Sequence, residues 1–363
     1  METNLKKLLP IVGVMLASFN LVNADQFNNN SIDDVNGAAD ANSKYRACPT
    51  ATHVCDDAWG VFVYGDYILW TPRAQLNVAT SGIYPEGTAA ATAVQGSVIY
   101  PEFNLLSGFR VGLGVNLDHD KWDVKVDYTW LRQGTDLDLV YGPVTDGDST
   151  AFSSYALATS TYPNDGTQVD EIYSSWAYQF NNIDLDAGRD FFVGHYFTLR
   201  PHLGLKFAWT KNTVQNEYQV LINSVAKELE VYNQQKFWGV GIRTGLDSTF
   251  FFDENWMIYG TTAFSLPWSK FQITQLVSNE TDELTNITFT NDFYATTPVV
   301  ELGMGLRWVV KFGDENCYAF ALQVGWDEQV WFNQVNWLAG PVAVPQGGEL
   351  SQQGLSVRAR FDF

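Results

Sequence analysis

The residues that could do chemistry in this chain are charged side chains set two apart. Asp123, Lys125 and Asp127 alternate along one segment, and Arg358, Arg360 and Asp362 along the last. Arg110, Arg200, Lys206, Arg243, Glu301, Arg307, Asp247 and Asp327 lie in similar segments, each with an apolar residue on at least one side. Cations and acids nearly balance in this set. Opposed charges across a channel would set up a transverse field that screens solutes by size, polarity and sign. The same charges could instead neutralise one another and brace a closed interior. The sequence leaves both readings open.

Catalysis has a weaker basis. General-base chemistry would need a positioned histidine. The four histidines are His53, His119, His195 and His202, and none falls in a segment expected to form a long outer loop. No enzyme is expected, and no cofactor motif is present. Cys48 and Cys55 could close a small disulfide loop in an oxidising compartment, leaving Cys317 unpaired or bridged to a neighbouring molecule. With His53 the pair still lacks a fourth zinc ligand. Asp136, Asp138, Asp146 and Asp148 show no EF-hand spacing and read as a solvated loop.

The elements that position these charges are strands. Phe109, Val111, Leu113, Val115 and Leu117 alternate with Arg110, Gly112, Gly114 and Asn116; Trp122 to Trp130 alternates with Asp123 to Thr129. A period of two marks strands with two unlike faces. The same pattern recurs at 198–210, 237–250, 298–311 and 318–328. Trp122, Trp130, Trp209, Trp308, Tyr318 and Trp326 stand at strand ends, the headgroup level favoured by rings that are apolar with one polar atom. The polar parity is rich in charge and glycine, and Gly112, Gly114, Gly239, Gly241, Gly303 and Gly305 are expected to leave space in a wet lumen.

Composition agrees. The chain has 363 residues, a formal charge of -20 and 15% aromatic residues, so it is a poor nucleic-acid binder. Residues 1–24 read as a signal peptide, with Lys6 and Lys7 before an apolar run and Ala24 at the cleavage site. Residues 25–58 read as a periplasmic lead and 59–363 as the fold itself. No later segment is apolar for long enough to be a transmembrane helix, so a membrane form must be a closed barrel.

The expected fold is all-β: a transmembrane antiparallel up-and-down β-barrel of about ten strands, with 12 or more if 72–106 or 133–174 hides a hairpin. Short turns at 118–121, 190–197, 251–255 and 312–317 alternate with long outer loops at 72–106, 133–174, 211–236, 269–297 and 329–353. The last strand ends in Phe361-Asp362-Phe363, the form of end read by the outer-membrane barrel assembly machinery.

Gly108 to Gly114, the Trp122 to Trp130 strand, Ala187 to Gly194, and Leu199-Arg200-Pro201 with Gly204-Leu205 resemble the pore-forming major outer-membrane proteins of Legionella and chlamydia-related bacteria. The resemblance implies a cell outer-membrane porin for small hydrophilic solutes and ions that is also a major surface protein, with no catalytic residues. The expected lining is Arg110, Asp123, Lys125, Asp127, Arg200, Lys206, Arg243, Glu301, Arg307, Arg358 and Arg360. Expected partners are outer-membrane lipid and lipopolysaccharide, the assembly machinery, permeating solutes and further copies of the chain. The alternative is a coat protein or adhesin with a closed barrel and little conductance.

Overall fold

The computed structural model describes residues 60–76, 78–83, 95–101, 103–117, 121–134, 137–142, 149–153, 168–193, 196–222, 225–279, 287–313, 318–339 and 344–363. The strands are β1 (Gly60–Ala74), β2 (Ala79–Ile83), β3 (Gln95–Ile99), β4 (Leu106–Asn116), β5 (Trp122–Gln133), β6 (Asp138–Tyr141), β7 (Ser149–Ser153) and β8 (Gln168–Arg189). They continue as β9 (Phe191–Phe192), β10 (Phe197–Ile222), β11 (Val225–Phe251), β12 (Trp256–Asn279), β13 (Ile287–Thr296), β14 (Val299–Phe312), β15 (Tyr318–Ala339) and β16 (Val344–Asp362). No helix among the described residues is long and apolar enough to cross a membrane.

Ten strands make a closed antiparallel ring in the order β1, β4, β5, β8, β10, β11, β12, β14, β15, β16. The seam runs from Phe62 opposite Asp362 to Ala74 opposite Leu350, and it leaves no free edge in the ring. The remaining short strands do not widen it. β2 pairs with β3 and β7, β6 and β7 pair with β8, β13 with β12, and β9 with β10.

Alternation sorts the two faces as the sequence predicts. Val111, Leu113, Ile242 and Met304 are 47%, 48%, 62% and 67% exposed, which only an outward, lipid-facing position explains. Arg110 and Arg243, next to Val111 and Ile242, and Glu301, next to Leu302, point inward.

The outer ends differ from expectation. The segment 211–236, expected to be a loop, is almost all ladder, from Lys211 opposite Lys236 to Ile222 opposite Val225. The segment 329–353 likewise continues as paired strand to Ala339 opposite Val344. β6 and β7 lie within 133–174, β2 and β3 within 72–106, and β13 within 269–297. At 26 and 27 residues, β10 and β11 far exceed the roughly 9–11 that span a membrane, so the wall rises well beyond it. Both faces of the raised wall are polar at Lys211 to Thr213, which is why period-two hydrophobicity stops there although the strands do not.

Candidate functional site in the barrel interior

The inward charges meet across the lumen. Arg243 on β11 places Nη1 2.5 Å from Asp186 Oδ2 and Nη2 2.6 Å from Glu301 Oε2. Lys206 on β10 holds Glu301 Oε1 at 2.6 Å and Asp184 Oδ1 at 2.8 Å. Arg200 clasps Asp123 and donates to Asp247 at 2.9 Å. On the other wall Asp66 accepts from Arg358 at 2.6 and 2.8 Å and from Arg110 at 3.0 Å, and Arg110 lies 3.4 Å from Asp327. Arg360 pairs with Asp362.

Arg110, Asp123, Lys206, Arg200, Arg243, Glu301, Arg358 and Arg360 all point into the barrel interior, and each is held in an ion pair. Lys125 is 4.0 Å from Asp186, and Asp127 is buried beside them. Arg307 alone of the expected lining cations has no carboxylate partner among the described residues; it donates to Gln323 at 3.0 Å and lies over the Tyr259 ring at 5.4 Å. A charge buried with one partner removed is costly, whereas a fully paired set is tolerated. Three anchors escaped the sequence reading: Asp66, Asp184 and Asp186. The signal was present as Asp184-Leu185-Asp186, two acids flanking an apolar residue in strand period.

The glycines do not leave the lumen empty. A methyl group on Gly112 would come within 2.1 Å of the Tyr64 ring, and one on Gly114 within 2.1 Å of Phe62. Tyr259 lies against Gly305 and Gly325 in the same way. Rings from the neighbouring strands occupy the space that glycine vacates, which corrects the expectation of open volume at Gly112, Gly114 and Gly305. Arg358 and Arg360 then stack on Tyr64 and Phe62, at 4.2 and 3.8 Å.

Further from the chain termini, the inward parity turns apolar. One continuous buried cluster draws a residue from every strand of the ring: Trp70, Leu106, Leu131, Phe180, Ala208, Phe237, Phe271, Val299, Trp331 and Leu350. Trp331 on β15 lies five strands from Phe180 on β8 in a ring of ten, so the two start from opposite walls. Their rings nonetheless meet edge to face, 5.7 Å between centroids. Phe237 reaches the same indole at 6.2 Å, and Gln352 donates to the Tyr178 hydroxyl across the lumen at 2.5 Å.

A register shift in β15 adds to the block. Asn333 takes a left-handed backbone (φ 53°), an option asparagine tolerates, and Gln334 turns inward. Gln334 donates to Thr210 at 2.8 Å, and its carbonyl accepts from Gln235 at 2.6 Å. Beneath this layer lies a cavity of about 160 Å³, lined by the ionic residues from Asn116 and Asp190 up to Gln329.

The outward aromatics form two bands. Trp122, Trp308 and Tyr318 lie at the short-turn end, and Trp130, Trp209 and Trp326 stand further along their strands. Trp256, opposite Trp308, joins the first band, and Trp238, Trp268 and Tyr294 extend the second, with Trp268 and Tyr294 stacked at 4.8 Å. Phe361 packs on Phe312 and Phe363 at 5.9 and 5.4 Å, and Phe363 hydrogen-bonds Val61 across the seam. His202 sits inside, 3.4 Å from Asp186 and 4.0 Å from Asp247. Cys48, Cys55, Cys317, His53, His119, His195, Asp136, Asp146 and Asp148 lie outside the described residues.

A family model described as the Legionella pneumophila major outer membrane protein precursor matches residues 74–363, most of the chain and nine of the ten ring strands. The chain belongs to this family. As a Legionella-type major outer membrane protein it resides in the outer membrane. No curated protein matches it. Among solved structures it is similar to the outer membrane protease OmpT of Escherichia coli, at 10% identity over 84% of this chain and 96% of that one, TM-score 0.41. It is also similar to a major outer membrane protein of Thermus thermophilus, at 11% identity over 84% and 100%, TM-score 0.29. A third is the toluene transporter TodX of Pseudomonas putida, at 8% identity over 84% and 89%, TM-score 0.26.

Proposed function

We propose that this major outer membrane protein is a barrel sealed at rest, a structural element of the cell surface that passes little solute. The contact between Phe180 and Trp331 carries the reading, because it spans the full width of the lumen within a cluster to which every ring strand contributes. The ion pairs beneath support it: they cross from wall to wall and brace the interior instead of presenting free charge to a permeant. No catalytic step is part of the proposal. The terminal strand with Phe361 and Phe363 suits an assembly signal, since it closes the seam against β1.

One observation favours a second reading, the porin implied by the resemblance. The cavity below the aromatic layer is lined by charged side chains and includes Arg307, which lacks a carboxylate partner among the described residues. Diffusion would then require the layer around Trp331 to open. Liposome swelling with small sugars distinguishes the two. The sealed barrel predicts swelling no faster than protein-free liposomes, and rapid swelling with the intact protein would establish the porin.

A further inference from the structure

The outward face carries a charge arrangement that the interior does not require. On β5, β10 and β11 an outward tryptophan is followed, two residues further from the short-turn end, by an outward cation: Trp130 and Arg132, Trp209 and Lys211, Trp238 and Lys236. The ladder aligns them. Arg132 is opposite Gln179, Gln179 opposite Lys211, and Lys211 opposite Lys236, so these four residues form one row across four adjacent strands. Trp130, Asn181, Trp209 and Trp238 form a parallel row one step nearer the membrane.

Lys211 and Lys236 are direct cross-strand partners. Side chains so placed have Cβ atoms about 4.5–5.5 Å apart, and like charges there destabilise the pair. Among the described residues neither lysine nor Arg132 makes an ion pair, whereas nearby Lys270 has Asp292 at 3.6 Å. The next charges outward on the same two strands are acidic: Glu217 is opposite Glu230. On β10 and β11 the cations therefore occupy one level, about 6–7 Å beyond the tryptophan row, while on β12 Lys270 stands in the tryptophan row itself, opposite Trp238. Tryptophan marks the headgroup edge of the bilayer, so that level is where lipid phosphates lie.

We propose that Arg132, Lys211 and Lys236, with Gln179 between them, bind the phosphate groups of an outer-leaflet phosphorylated glycolipid. An anionic headgroup relieves the repulsion between the lysines, and the tryptophan row packs on its acyl chains. Arginine takes phosphate through paired N–H donors and lysine as a point charge. The proposal rests on the outer-membrane location and is independent of whether the lumen conducts.

The test uses the mature barrel in uncharged detergent with three probes: bisphosphorylated lipid A, the same lipid with both phosphates removed, and inorganic phosphate. Native mass spectrometry and the thermal midpoint read binding. Only the phosphorylated lipid should stay bound and raise the midpoint, and the double variant K211Q/K236Q should lose about tenfold or more in affinity. K211E should lose at least as much while unfolding no earlier than wild type in lipid-free detergent, because it turns a like-charge pair into an opposite one. Equal binding of the dephosphorylated lipid, unchanged affinity in K211Q/K236Q, or saturation by inorganic phosphate alone would overturn the proposal.

Discussion

The two storeys of the interior are built on the same strands and the same parity, yet they do opposite things. On β8 the inward residues run Trp176, Tyr178, Phe180, then Asn182, Asp184, Asp186; the chemistry changes within two residues. On β15 the change falls between Gln329 and Trp331. Lys206 stands at the boundary, its ammonium holding Asp184 and Glu301 while lying 5.5 Å from the Trp331 ring. The ionic storey fixes the geometry but adds little net stability, because the cost of desolvating its charges offsets much of their attraction. The aromatic storey is held by ring packing across the ring of strands, from Trp176, Tyr178 and Phe180 to Trp331, Phe237 and Phe271. Charge balance thus explains why the lower interior is tolerated, and ring packing is what the proposed seal of the upper interior rests on.

Breaking the aromatic storey should have the largest effect. Trp331→Ala removes the contacts to Phe180 and Phe237, and loss of a buried indole costs about 3–5 kcal/mol. Urea unfolding of the barrel should show that loss, and ion conductance should appear first in this variant. An equally stable and equally silent W331A would show that the seal lies elsewhere. Asp186→Asn attacks the ionic storey instead. It keeps the shape but leaves Arg243, His202 and Lys125 without their shared carboxylate, for about 3–5 kcal/mol of destabilisation. Conductance should stay at the wild-type level because the layer above is intact, and a conducting D186N would merge the two storeys into one gate.

Smaller effects sharpen the contrast. Gly112→Ala drives a methyl into the Tyr64 ring and should cost about 1–3 kcal/mol, whereas Gly65→Ala on the outward face meets nothing within 4 Å. Matching unfolding midpoints for the two would argue against glycines being filled by neighbouring rings. Arg307→Gln should be mildest, about 1 kcal/mol, since it loses one hydrogen bond and the contact with the Tyr259 ring but no carboxylate. In a W331A background it should shift the preference between anions and cations, read as a reversal potential in a salt gradient.

Much of the barrel was legible in the sequence because lipid imposes a strict alternation. Wherever one face must be apolar and the other polar, as from Phe109 to Val115 or from Trp122 to Trp130, strand bounds agree within about one residue. The raised wall was not legible, since Lys211 to Asn216 faces water outside and mostly amides inside, and no hydrophobic period survives. The aromatic seal was hidden for the converse reason. In Tyr67-Ile68-Leu69-Trp70 both parities are apolar, one for lipid and one for the lumen, so the pattern blurs where the interior closes. Paired charges were readable as inward, but which acid meets which arginine depends on reach across the ring, as with Arg110 and Asp327.

Current through a planar bilayer holding the folded, unmodified protein separates a sealed interior from an open one. The sealed interior predicts insertion without sustained ohmic steps, in contrast to W331A under the same voltage and salt. Steady stepwise conductance from the intact barrel, matching that of W331A, would contradict it.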